Sequence, residues 1–154
     1  PNNIDTLMKR GWVYALQEKP EYDKARDDFA KVLGLDPTES EAHSGLGYVQ
    51  ACQKSPGEAR LAASRALLHG GGRYLVLHNI ACVYAKLAQT DAARAKEYEH
   101  LAIDHLRRAL ELWRKAGSPH PDEQQLIRDE PTFVPGLRAH PDFPKLFQPT
   151  NKKH

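Results

Sequence analysis

The sequence predicts an all-α fold, a helical-hairpin solenoid closed by short capping helices at its C-terminal end. Three observations carry this. A nine-residue segment occurs three times, a second set of anchors precedes each copy, and prolines crowd the last stretch of the chain. Fixed-period self-similarity marks repeat architectures, in which each unit buries its apolar face only by stacking on the next.

The segment from Ala25 to Leu33 returns 34 residues later from Ala59 to Leu67, and 43 residues after that from Ala102 to Leu110. Ahead of these, Leu7, Gly11 and Tyr14 share their spacing with His43, Gly47 and Gln50 and with Leu77, Ala81 and Tyr84. Each set predicts one helix followed by a partner, with hairpins over about 4–37, 40–71 and 74–116. Small residues at Gly11, Gly47 and Ala81, and at Ala25, Ala59 and Ala102, stand where two helices approach closely.

The first hairpin carries two extra residues in its turn around Gln17 to Tyr22. The second ends on Gly70-Gly71-Gly72, which predicts positive φ and a loose joint. The third inserts nine residues, from Gln89 to about Glu97. With Thr90 and Asp91 as N-cap candidates, the insertion predicts a second helix lengthened to run from about Asp91 to Lys115 and closed by Gly117. Asp104 with Arg108, and Glu111 with Lys115, are spaced as exposed i,i+4 ion pairs.

From 117 to 154 the composition predicts a proline-rich cap and tail. Pro121, Pro131, Pro135, Pro141, Pro144 and Pro149 exclude another long helix. Short helices fit Pro121 to Arg128 and Pro141 to Phe147. Phe133, Leu137, Phe143, Leu146 and Phe147 would cap the open end of the last hairpin.

These residues resemble the tetratricopeptide repeat over residues 1–116, most specifically in Tyr22-x2-Ala25-x3-Phe29 running to Leu35-Asp36-Pro37 and in Leu77-x2-Ile80-Ala81-x2-Tyr84. The resemblance implies a right-handed superhelix whose first helices line a concave groove. Pro1 stands where Pro37 stands relative to the helix that follows, so the chain is expected to begin at the end of a preceding repeat and to be part of a longer protein. Asn79, Ala81-Cys82-Val83-Tyr84-Ala85 and the tail from Leu126 to Phe143 are similar to stretches of bacterial multidomain regulators, among them repeat-bearing serine/threonine kinases.

Composition narrows the function classes. Lys and Arg number 22 against 20 Asp and Glu, for a net charge of +2, and the only basic cluster is Asn151-Lys152-Lys153-His154. Alternating charge of this kind argues against nucleic acid as a partner. No apolar run approaches the roughly 18 residues of a spanning helix, so no membrane partner is expected. Cys52 and Cys82 make no secreted disulfide framework, and no secretory leader is visible; a cytoplasmic location is expected.

Helical geometry from the anchors gives the groove Asp5, Met8, Trp12 and Leu16, then Glu41, Ser44, Tyr48 and Cys52, then Leu75, His78, Asn79, Cys82 and Lys86. The candidate peptide-binding residues are Met8, Trp12, Ser44, Tyr48, Leu75, His78, Asn79, Cys82 and Lys86. Aromatic anchors with polar flanks suit a peptide or partner domain. Equally, Trp12 and Tyr48 would serve to pack against the tail or a neighbouring repeat.

Some tetratricopeptide proteins clamp a chaperone's terminal carboxylate with Lys, Asn and Arg. The matching sites here are Met8, Trp12, Gly45, Leu75 and Asn79, which argues against such a clamp. His78 and Cys82 are spaced as two metal ligands on one helix face, with Cys52 an undecided third, and groove packing accounts for them better. A Cys–His nucleophile lacks an orienting group, and Gly70-Gly71-Gly72-Arg73 lacks the lysine and preceding strand of a phosphate loop. The expectation is a non-enzymatic interaction scaffold without cofactor or metal. The alternative is a structural module that self-associates through its exposed N-terminal face or continues a longer solenoid.

Overall fold

The computed structural model describes residues 3–133 and 135–148. Its α-helices are α1 (Ile4–Leu16), α2 (Tyr22–Leu35), α3 (Ser40–Cys52), α4 (Pro56–Gly70), α5 (Tyr74–Thr90), α6 (Ala95–Lys115) and α7 (Glu123–Asp129). Short 3-10 turns cover Ala92–Arg94, Pro131–Phe133, Leu137–Ala139 and Pro144–Phe147, and no strand occurs among the described residues. Pro1, Asn2, Pro149 and the basic cluster from Asn151 to His154 lie outside the described residues.

Each of the first six helices packs on its successor, and α1, α3 and α5 also meet one another in order. The anchors explain this register. Gly11, Gly47 and Ala81 are each the eighth residue of their helix. A Cβ on Gly47 would lie 3.2 Å from the Ala59 carbonyl oxygen, which records how closely α3 and α4 approach. At Gly11 the close neighbour is the Phe29 ring of α2. Phe29 is fully buried, along with Ala25, Val32, Ala59, Leu77, Ala102, Leu106 and Ala109. Arg10 of α1 donates two hydrogen bonds to the buried Asp28 carboxylate of α2, at 2.6 and 2.7 Å.

The nine-residue insertion departs from the expected single long helix. Relative to α3 and α4, four residues extend the end of α5, one enters the connection, and four extend the start of α6. Thr90 therefore ends α5 rather than capping α6, with its Oγ1 donating to the Lys86 and Ala51 carbonyls. Dividing the insertion lengthens both helices equally at the end where they meet, so that both added turns bury an apolar group, Leu87 on α5 and Tyr98 on α6. Tyr98 stacks on Tyr84 and is covered by the Arg94 guanidinium.

Gly117 closes α6 as expected, with φ +86°. Its N–H donates to the Arg114 carbonyl and that of Ser118 to the Trp113 carbonyl, a Schellman termination that requires the left-handed residue. The Gly70-Gly71-Gly72 joint differs from expectation. Gly70 belongs to α4 and none of the three has positive φ. Space is the requirement, because a Cβ on Gly70 would fall 2.6 Å from Cβ of Ser40. Asp104 pairs with Arg107 and His100 rather than with Arg108, since the i,i+3 geometry gives the shorter contact, 2.6 Å.

The tail is only partly helical. α7 starts at Glu123, two residues after Pro121, with the Asp122 side chain accepting from the Gln125 N–H. The stretch expected as a helix from Pro141 forms i→i+3 turns, because an α-turn ending at Pro144 would drive its ring into the His140 carbonyl. Phe133, Leu137, Phe143 and Leu146 are buried, and these segments pack on both α5 and α6.

Candidate functional site

Two neighbouring cavities lie along α1, α3 and α5, and a third adjoins them between α3, the start of α5 and the end of α6. The first, about 270 Å³, is lined by Trp12, Leu16, Tyr48, Asn79 and Cys82 and by Glu130 and Thr132 from the tail. Trp12 also lines the next, about 290 Å³, with Ile4, Asp5, Met8, Lys9, Glu39, Glu41 and Arg73. Glu41 and Arg73 lead into the third, about 320 Å³, where Tyr74, Leu75, Val76 and Leu112 make an apolar wall. A groove with Trp12 near its middle thus follows from the eighth-residue register, which turns the same face of each first helix outward from the hairpin contacts.

Trp12 is held by edge contact with Phe29, ring centroids 5.3 Å apart, and by Tyr48 at 5.9 Å. It remains only half-buried, whereas Tyr48 is 7% exposed. Rigid aromatic surface of this kind binds at low entropic cost. Charge flanks Trp12: Lys9, Arg73, Glu39 and Glu41 line the middle cavity, and Glu130 lines the first.

Of the residues assigned to the groove from sequence, Met8, Trp12, Tyr48, Leu75, Asn79 and Cys82 line these cavities. Ser44 does not: it is fully buried and its Oγ donates to the Glu41 carbonyl. Lys86 is engaged by Gln89, with Nζ lying 5.9 Å from the Tyr48 ring centre. Gln89 in turn donates to the Thr132 carbonyl at 2.7 Å, tying α5 to the tail. Cys52 is half-buried and lines none of the three cavities.

His78 has a different setting from the one its spacing suggested. Its Nδ1 donates to Oε1 of Glu123 at 2.8 Å, its Nε2 lies 3.5 Å from Oε2 of Glu130, and its ring packs on Phe133. The tail covers it, and it is 6% exposed. Glu123 is entirely buried, and its second oxygen has no hydrogen-bond partner. Burial opposes charge on His78, but Cys82, Glu123 and Glu130 outweigh it and hold the imidazole well above its ordinary pKa. Burial also raises Glu123 and Cys82, each opposed by His78. Glu130, although partly desolvated, is drawn down by His78 and Thr132.

Three tail residues, Glu123, Glu130 and Thr132, therefore join this site, beyond those expected from the repeat pattern. Their signal was faint, two acids flanking the apolar Leu126-Ile127 pair in a segment read as a cap. Among the described residues no helix is long and apolar enough to cross a membrane. No protein-family model matches the chain, and no curated protein matches it significantly.

Proposed function

We propose that the chain is a non-enzymatic protein-interaction module, a tetratricopeptide-like stack of three hairpins that takes a peptide or partner segment in the groove of α1, α3 and α5. The observation that carries this reading is the set of three cavities linked by Trp12, Glu41 and Arg73, with apolar surface at Trp12, Tyr48 and Leu75 and charged residues between. The hairpin reading is supported by the shared eighth-residue register and by packing that runs from each helix to its near successors. The tail narrows the groove at its α5 side, so the occupant is a slender segment that places an apolar side chain beside Trp12 and Leu16.

Selection from a random peptide library on the intact chain tests the reading. Leu16 is 59% exposed and Asn79 only partly covered, so Leu16→Ala and Asn79→Ala leave the fold intact. Selected peptides are expected to lose about 1–2 kcal/mol of affinity with either change. Unchanged binding to both variants would place the ligand elsewhere.

A second reading, self-association, rests on a separate feature. Leu35 exposes a large apolar side chain at a cavity of about 240 Å³ that it lines with Leu7, Lys31 and Gly34. Light scattering across concentration distinguishes the two: a constant monomer mass removes self-association, and a rising mass abolished by Leu35→Asp supports it.

A further inference from the structure

We propose that His78, Cys82 and Glu130 bind a divalent transition-metal ion, zinc by preference, with Glu123 as the carboxylate that orients His78. The three donor atoms, an imidazole nitrogen, a thiol sulfur and a carboxylate oxygen, all lie within 4.8 Å of one another. They come from two parts of the chain. His78 and Cys82 are four residues apart on one face of α5, and Glu130 immediately follows α7, whose packing on α5 brings it across.

Geometry favours closure on a metal. Bonds of about 2.0–2.3 Å in a tetrahedral zinc site put ligand atoms about 3.3–3.8 Å apart. The Nε2 to Oε2 separation, 3.5 Å, already falls in that range. Glu130 is only partly buried and its Oε1 accepts from the Thr132 N–H at 3.0 Å, which leaves Oε2 as the oxygen turned toward His78.

Glu123 supplies the second observation. It fixes Nδ1 of His78 at 2.8 Å, so that Nε2 is the nitrogen left facing Glu130. Carboxylate–histidine pairs of this kind set ring orientation and basicity in metal sites. Its buried, unpartnered Oε2 is a costly arrangement for a carboxylate serving only as a packing group. Nearby positive charge offsets that cost, and a dication supplies more of it than the imidazole alone.

The donor set selects the ion. Magnesium and calcium demand mainly oxygen ligands, whereas one thiolate, one imidazole and one carboxylate suit zinc. On binding, the Cys82 S–H proton and the proton displaced from His78 Nε2 pass to solvent, and both atoms donate a lone pair to the metal. The fourth position faces the 270 Å³ cavity, which Cys82 and Glu130 line, and is open to water or to a donor atom of a ligand. This site does not depend on a peptide occupying the groove.

Cobalt(II) titration of the intact, metal-stripped protein tests the proposal, with competition by zinc. The expected result is one equivalent of cobalt with thiolate-to-cobalt charge-transfer and tetrahedral d–d absorption, both abolished by zinc. Cys82→Ser removes the charge-transfer band, Glu130→Gln and Glu123→Gln weaken affinity by about 10–100-fold, and Cys52→Ser leaves the spectrum unchanged. Circular dichroism verifies that each variant is folded, and the wild-type spectrum alone decides if a variant fails. Absence of thiolate-to-cobalt absorption in the wild type would overturn the assignment, as would a band lost with Cys52→Ser.

Discussion

Gly45 on α3 faces the ring of Phe29 on α2 so closely that a Cβ at Gly45 would lie 2.6 Å from Cζ. Gly11 on α1 bounds the same ring from another helix, with a corresponding distance of 2.9 Å. Phe29 is thus the wedge that joins α1 and α3, and its edge contact sets the position of Trp12 in the groove. Helix propensity alone favours alanine over glycine by about 1 kcal/mol. Here the steric term wins, and Gly45→Ala is expected to destabilise the fold by about 1–3 kcal/mol in chemical denaturation. Pairing it with Phe29→Leu should recover part of that loss. A stabilising Gly45→Ala would refute the wedge.

The His78 contact with Glu123 makes a second stability prediction. In metal-free protein, His78→Leu leaves the Glu123 carboxylate buried without its cationic partner, at an expected cost of about 3–5 kcal/mol. The loss should concentrate in the tail, read as faster proteolysis between Gly117 and Gln148 while α1–α4 stay protected. His78→Leu combined with Glu123→Leu should restore much of the stability, because an apolar pair needs no counter-charge. Equal loosening of α1 and the tail would contradict a local role.

His105 gives a pH dependence with a defined sign. Burial holds its imidazole below the ordinary histidine range, Asp104 opposes this, and Arg108 adds to it. The ring stacks on Tyr84, centroids 5.5 Å apart and 9° from parallel. The unfolded chain takes up a proton near pH 6.5, whereas folded His105 resists it until lower pH. This contribution is therefore complete above about pH 6.5 and falls by at most about 1.4 kcal/mol per unit below it. Denaturation at pH 7.5 and 5.5 should show a larger loss for wild type than for His105→Phe. His78 titrates in both proteins, so its effect cancels in the comparison.

Much of the helical layout was legible because small residues recur at fixed positions. Gly11, Gly47 and Ala81 fell at the same point of three helices. The fate of the insertion was not legible, since Ala- and charge-rich residues suit either helix and only pairing between α5 and α6 divides them. Gly70 misled for a related reason: glycine signals both positive φ and lack of space, and the Ser40 contact that decides between them is 30 residues away. Ser44 and His78 fit the groove by helical angle, yet tertiary neighbours buried them. The local pattern of the tail fits an end cap, and nothing in it shows that Glu130 and Thr132 reach the groove wall.

Nuclear magnetic resonance mapping of a library-selected peptide tests the groove most directly. Binding in the groove is expected to shift the amides of Met8, Trp12, Tyr48 and Asn79 and the indole resonance of Trp12, with α2, α4 and the outer face of α6 unaffected. Shifts confined to those outer surfaces, or failure to select any peptide that binds the intact chain, would contradict it.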